Sequence, residues 1–262
     1  KADGRLTEEL VESLENSIQV RVLLGRLEKV RIENISAARK ALLGHPATRD
    51  LVTGEKQEVA DPTRDKTTCF KNLTVRCLLD EALDSAKAVF KPELRDWALG
   101  EILVAQARAG LRPEAMQTAG RIRDPRLIVV ALRDIAEAQA ASGLSEEALA
   151  AAGIIPNPKK NAEALAAIAD IQVKRGDKND ALATAERLLN ALPAIDDSLT
   201  RISLQARVAV ILAKSGNAPQ ASDILAKAES FSRANISGGN LGIALRHIAK
   251  GLAETQQLAQ AM

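Results

Sequence analysis

Residues 125–157 read PRLIVVALRDIAEAQAASGLSEEALAAAGIIPN, and the next 33 residues, 158–190, read PKKNAEALAAIADIQVKRGDKNDALATAERLLN. Laid over each other and over residues 92–124, these segments keep several columns in one register. Pro92, Pro125 and Pro158 open the three units, and Gly110, Gly143 and Gly176 stand 33 residues apart, with Gly216 following 40 later. Five residues after each glycine comes Ala115, Ala148, Ala181 or Ala221, and eight before it Ile102, Ile135, Ile168 or Val208. Eleven before stand Leu99, Leu132 and Leu165, with Gln205 as the exception. Independent columns sharing one period mark an internal repeat, and a period of 20–50 residues decides the architecture before any single element is read.

Each unit reads as a pair of helices. From about Leu127 to Ala141, apolar residues recur at helical spacing, including Ala131, Leu132, Ile135 and Ala138. Gly143 then suits the left-handed cap position that glycine adopts without strain. A second helix is expected over about Ser145 to Ala152, with Ser145 as N-cap and Glu146 and Glu147 in the first turn. Its buried stripe of Ala148, Ala152 and Ile155 starts small, which lets the two helices approach closely. Composition agrees. Aromatic residues make up 2%, with one Trp, three Phe and no Tyr, against 46% hydrophobic residues overall, a balance that favours helix over strand.

The pattern resembles the tetratricopeptide repeat. With Gly143 as the turn glycine, Leu132 falls at that family's large position, Ile135-Ala136 at its Leu-Gly pair and Ala148 at its small position. Leu99, Ile102-Leu103 and Ala115 match in the preceding unit, and Leu165, Ile168-Ala169 and Ala181 in the following one. Gln106, Gln139 and Gln172 replace the family's aromatic, and the unit is one residue short of the usual 34. The resemblance implies an all-α fold, a right-handed α-solenoid of antiparallel helix pairs, strongest over 78–190 and continuing to about 256. It also implies an inner face lined by set positions of each first helix. Carried over one by one, these are Trp97, Val104 and Arg108 in one unit and Val130, Arg133 and Glu137 in the next. Glu163, Asp170 and Lys174 follow, then Ser203, Val210 and Lys214, and last Arg246 and Lys250. The Lys/Asn pattern with which some family members clamp a C-terminal carboxylate is missing. Gly100, Arg133 and Ala166 occupy one of its columns, and Val104, Glu137 and Asp170 the other. Trp97 is the candidate anchor, since a Trp in a groove is a typical hot spot; the competing reading packs it between the first two units.

Three regions are expected: a helical cap or docking segment over 1–44, a linker or irregular loop over 45–64, and the repeat domain over 65–262. In the first, helices are expected over about 7–24 and 35–43, around an uncertain stretch at 26–34. The cap reading follows from a solenoid's need to cover its first unit; the docking reading follows from apolar content in excess of that need. Upstream of Pro92, an atypical helix is expected around Thr67 to Arg76, followed by one carrying Ala82, Ala86 and Val89. Cys69 and Cys77 lie eight residues apart. On one straight helix that is roughly 12 Å, beyond the Cα separation of about 7 Å that a disulfide tolerates. Two buried thiols are therefore the first reading, and a bond closing a broken helix or loop the second.

Little here points to chemistry. Nucleophile elbow, Walker loop and zinc-protease helix motifs are all missing, so no catalytic residue, metal ligand or cofactor is expected. His45 and His247 are too distant in sequence to suggest a metal site. The glycine cluster Ser237-Gly238-Gly239-Asn240 reads as a linker before a last helix rather than an anion site, and His247 as a surface or edge residue. The glutamine column could form a ladder between repeats or line a cleft, and the structural role is favoured. Basic and acidic residues nearly cancel, 36 against 34, which points away from nucleic acid, and no run of 18 apolar residues suggests a transmembrane segment. The chain starts at Lys1 rather than Met, which slightly favours a periplasmic mature chain over a cytoplasmic one. The expected function is a non-enzymatic scaffold or adaptor that binds a segment of a partner protein in its groove. The alternative is a stoichiometric subunit of a large envelope or motor complex, docked through its N-terminal segment.

Overall fold

A computed structural model of the chain describes residues 29–54, 59–60, 63 and 65–261. Among these residues the regular elements are helices, with no strand. The helix expected over 7–24 lies outside the described residues. The uncertain stretch does not break the chain from residue 29 onward, where one helix, α1, runs continuously over 29–44.

The expected irregular stretch after Gly44 contains a helix, α2 (Pro46–Thr53). Pro46 occupies its first turn, where a missing N–H costs nothing, and His45 Nδ1 accepts the Ala47 N–H at 3.3 Å. Thr48 donates its hydroxyl to the Leu42 carbonyl at 2.8 Å. Leu51 lies over the Cα of Gly120, so α2 is fastened to both neighbours. Only Thr48 and Leu51 are buried on this helix, a periodic signal too short to read from sequence.

Next come α3 (Thr67–Lys71) and α4 (Val75–Lys87), where one helix was expected around Thr67 to Arg76. Asn72 leaves helical geometry, and the Thr74 side chain accepts the Cys77 N–H to cap α4, the competition with the helix backbone that Asn and Thr are suited to. The break brings the Cα atoms of Cys69 and Cys77 to 5.6 Å, and the two residues form a disulfide. The first reading of the cysteines assumed one straight helix and is thereby corrected. Closing so short a loop contributes about 2.5 kcal/mol by restricting the unfolded chain.

The repeats follow as α5 (Pro92–Arg108), α6 (Arg112–Arg121), α7 (Pro125–Ala141), α8 (Ser145–Gly153), α9 (Pro158–Arg175), α10 (Lys178–Ala191), α11 (Ser198–Lys214), α12 (Ala218–Asn235) and α13 (Gly238–Ala261). The glycine cluster expected as a linker is the first turn of α13. The four turn glycines all have φ between +74° and +101°. At Gly143 the N–H bonds to the Ala140 carbonyl at 3.0 Å, and the Leu144 N–H reaches back to Gln139 at 2.9 Å. This double closure requires the left-handed conformation, and the same pair of bonds recurs at Gly110, Gly176 and Gly216. It also moves the start of α8. Leu144 becomes the N-cap residue, without a side-chain cap, so Ser145 does not cap as expected. Its hydroxyl instead donates to Asp180 at 2.6 Å and accepts from Gln172 Nε2 at 3.2 Å, tying α8 to α9 and α10.

Helix α7 packs on α5, α8 and α9; α9 on α7, α10 and α11; α11 on α9, α12 and α13. From α5 to α13 the odd-numbered helices thus form one consecutive series, and α6, α8, α10 and α12 each touch both the helix before and the helix after. The 40-residue step between Gly176 and Gly216 is taken up by α10, 14 residues against 9 in α8, and by the 3-10 turn Leu192–Ala194. Fully buried Leu132, Ile135, Ile168, Ile202 and Ile211 fill the core, with alanines such as Ala148, Ala152, Ala166 and Ala169 between helices. Gly251 in α13 extends this economy: a Cβ there would stand 2.9 Å from a Leu225 methyl and 3.4 Å from the Ala206 carbonyl oxygen.

The glutamine column is buried but not equivalent from unit to unit. Gln106 Oε1 accepts the Thr118 hydroxyl at 2.8 Å, and Gln172 donates to Ser145. Gln139 is fully buried with neither amide atom bonded, and Ala151 stands where the first unit has Thr118. A buried amide without partners costs about 1–3 kcal/mol. Gln139→Leu is therefore expected to raise the unfolding free energy by about 1–2 kcal/mol, whereas Gln106→Leu, which strands Thr118, lowers it. Paired urea titrations followed by circular dichroism check this; a destabilising Gln139→Leu would contradict it.

Candidate functional site

Three clefts lie along the odd-numbered helices. The first, of about 410 Å³, lies between α9, α11 and α13. Helix α11 lines it with Ser203, Arg207, Val210 and Lys214, a stripe with steps of four, three and four residues, which places them on one helical face. Helix α13 contributes His247, Lys250, Gly251 and Glu254 at the same kind of spacing, and α9 contributes Asp170 and Lys174. The second cleft, of about 350 Å³, shares Ser203, Arg207 and His247 with the first and extends it to Lys159 and Glu163 of α9 and to Asp197 before α11.

The third cleft, of about 340 Å³, has a different wall. Val129, Val130 and Arg133 of α7 line one part of it, and Asn34, Ala37, Ala38 and Ala41 of α1 another. Those α1 positions again follow steps of three, one and three, so a single alanine-rich face of α1 meets the cleft.

Of the expected groove residues, Asp170, Lys174, Ser203, Val210, Lys214 and Lys250 come together in the first cleft and Glu163 in the second. Val130 and Arg133 line the third. Trp97, Val104, Arg108, Glu137 and Arg246 line none of the three. Trp97 is 64% exposed on α5, so it does not pack between units, and it shares the start of the repeat array with exposed Phe70 and Phe90. Arg207 and His247 were not among the expected groove residues. Both could have been found by extending the Ser203–Val210 and Arg246–Lys250 stripes at helical spacing, and His247 sits where two clefts join rather than at an edge.

Charges on α7, α9 and α11 pair both within and between helices. Arg207 Nε donates to Asp170 Oδ2 at 2.6 Å, linking α11 to α9. On α7, Arg133 pairs with Asp134 at 2.8 Å and with Glu137 at 3.4 Å. Burial would lower the Arg133 pKa, but Asp134, Glu137 and Glu163 together hold it above its ordinary value. For Glu137 the balance is reversed. Burial pushes its carboxyl up, Asp134 adds repulsion, and attraction from Arg133 and Arg207 does not restore it. A carboxyl whose folded value lies above its unfolded one holds its proton more tightly in the native state. Its stabilising contribution is complete below the ordinary value of 4.5 and is lost as pH rises through the folded value. Thermal melts of Glu137→Gln and the parent between pH 4 and pH 7 are expected to show the parent losing ground as pH rises; parallel pH profiles would contradict this.

Half-exposed ion pairs of this kind contribute about 0–1 kcal/mol each, so their main effect is to fix where each sign of charge lies on the surface. The described residues contain no group of three or more His, Cys, Asp or Glu placed to hold a metal ion and no helix long and apolar enough to cross a membrane. What the arrangement offers chemically is shape, apolar floor and charge. Comparison with protein families, with curated proteins and with solved structures finds no match to this chain.

Proposed function

We propose that the paired helices wind into a right-handed, tetratricopeptide-like α-solenoid whose inner face binds a segment of another protein, so that the chain acts as a non-enzymatic scaffold or adaptor. The observation that carries this reading is the α9–α11–α13 cleft. Six residues that the tetratricopeptide resemblance assigns to the inner face line it together. The order of helix packing, with one helix series touching neighbour to neighbour and the other bridging it, supports the solenoid. Pull-down from the native source with Arg133→Glu and Lys174→Glu tests the groove. Loss of partner recovery is expected, and unchanged recovery with both variants would remove the groove as the binding site.

A second reading makes the chain a stoichiometric subunit docked through its N-terminal segment. It draws on α1, where Val30 and Ile32 are exposed toward the start of its described residues while Leu42, near its end, is fully buried, so that apolar side chains on the N-terminal side are left uncovered. Deleting residues 1–43 separates the two roles: loss of assembly with the repeats still folded favours docking, and global unfolding favours a cap.

A further inference from the structure

We infer that the α9–α11–α13 cleft takes an internal acidic segment of its partner, presented as a helix with small aliphatic side chains on the face that enters. The inference rests on the groove reading and adds the chemistry of the occupant. Two features of the cleft select it.

The first is charge. Lys174, Arg207, Lys214 and Lys250 face Asp170 and Glu254, an excess of two positive charges (four basic less two acidic) before His247 is counted. Asp170 is already taken up by Arg207 at 2.5 Å, and Glu254 is shared at 3.9 Å by Lys214 and Lys250. Lys174 forms no ion pair among the described residues. The adjoining cleft is balanced, with Lys159 and Arg207 against Glu163 and Asp197, so the excess is local to the first. Carboxylates arriving there meet unneutralised ammonium groups over a floor of Ala206, Val210 and Gly251, where partial removal from water strengthens the attraction.

The second is the form of the occupant. Further along the same helix series, α1 and α7 line one cleft together, and the α1 residues that do so are Asn34, Ala37, Ala38 and Ala41. The floor of the α9–α11–α13 cleft is likewise made of small residues, Ala206, Val210 and Gly251. A helix with alanine or a small aliphatic residue at three- and four-residue steps fits both stretches, with its acidic residues reaching the lysines on the rim.

The test uses the full chain and a fluorescein-labelled twelve-residue peptide. Its leucines and alanines follow helical spacing, glutamates fill the other positions, and its C-terminus is amidated so that no terminal carboxylate takes part. The control peptide carries glutamine at every glutamate. Fluorescence anisotropy is expected to show the acidic peptide binding at least tenfold more tightly than the control. Binding should weaken as salt rises from 50 to 300 mM and fall at least tenfold in Lys174→Glu/Lys214→Glu/Lys250→Glu, whose melting curve confirms folding. Equal affinity for the two peptides overturns the inference, as does undiminished binding by the triple variant. So does equal binding of a plain oligoglutamate, which would reduce the site to unspecific charge. If the glutamine peptide binds and Arg133→Glu abolishes its binding, the acidic inference fails while the groove reading stands. Binding of neither peptide, together with unchanged partner recovery in the pull-down, overturns both.

Discussion

Leu132→Ala is expected to lower the unfolding free energy by about 3–4 kcal/mol, within the range for a fully buried leucine truncated in a core that cannot collapse around the loss. Leu132 has no exposed surface and sits on α7, which packs on α5, α8 and α9. The cavity therefore opens at the junction of two units rather than at an end of the array. In a chain of repeats that contact only their neighbours, a weakened central unit uncouples those on both sides, so the transition should broaden as well as shift. Leu127→Ala, at the exposed edge of the same helix, should cost less than about 1 kcal/mol. Urea unfolding followed by circular dichroism measures both. Equal effects of the two substitutions would contradict the packing described.

Asp96→Ala is expected to cost about 2–4 kcal/mol, by a different route. Asp96 is buried on α5, and its carboxylate accepts the Arg123 N–H at 3.1 and 3.2 Å and the Asp124 N–H at 3.0 Å. Bonds to an ionised acceptor are the strong ones, each worth about 1.5–3 kcal/mol. They fix the turn between α6 and α7, where Asp124 in turn caps α7 by accepting the Arg126 N–H at 2.9 Å. Asp96→Asn keeps an acceptor oxygen without the charge and should recover about half of the loss. Amide exchange at Arg123 and Asp124 should accelerate most in the alanine variant. Unchanged exchange at both amides would show that Asp96 does not hold the turn.

The repeat was legible because its punctuation is chemical. Gly110, Gly143, Gly176 and Gly216 end helices in a conformation that disfavours other residues, so a column of glycines converts directly into a column of turns. Proline reads equally well, since Pro92, Pro125 and Pro158 all start helices. What sequence could not show depends on geometry between distant residues. The break that allows the disulfide is three residues long, Asn72 to Thr74, and leaves no mark in periodicity. Ser145 has an ideal cap sequence, yet the closure of the preceding helix shifts the cap to Leu144 and frees the hydroxyl for Asp180 and Gln172. α2 buries only Thr48 and Leu51, and whether a segment that short folds is decided by Gly120, some 70 residues away.

The site was legible where it follows the repeat and obscure where it does not. Ser203, Val210 and Lys214 were assigned to the inner face by the tetratricopeptide resemblance, as were Asp170 and Lys174, and the five share a cleft. Arg207 and His247 lie on the same helical stripes but outside the columns that the resemblance assigns. Trp97 occupies the right column in a unit where none of the three clefts reaches, and it is exposed, as are Phe70 and Phe90. The scarcity of aromatics elsewhere is structural, since alanine and glycine between helices leave no room for rings.

The central claim is that the inner face of the odd-numbered helices holds a segment of a partner protein. Hydrogen exchange of the chain, free and in complex with the partner recovered from its native source, tests it most directly. The account predicts added protection concentrated on α9, α11 and α13, centred on peptides containing Lys174, Arg207 and Lys250, and absent from α10 and α12. Protection confined to α10 and α12, or to α3 and α4 at the disulfide end, would contradict it.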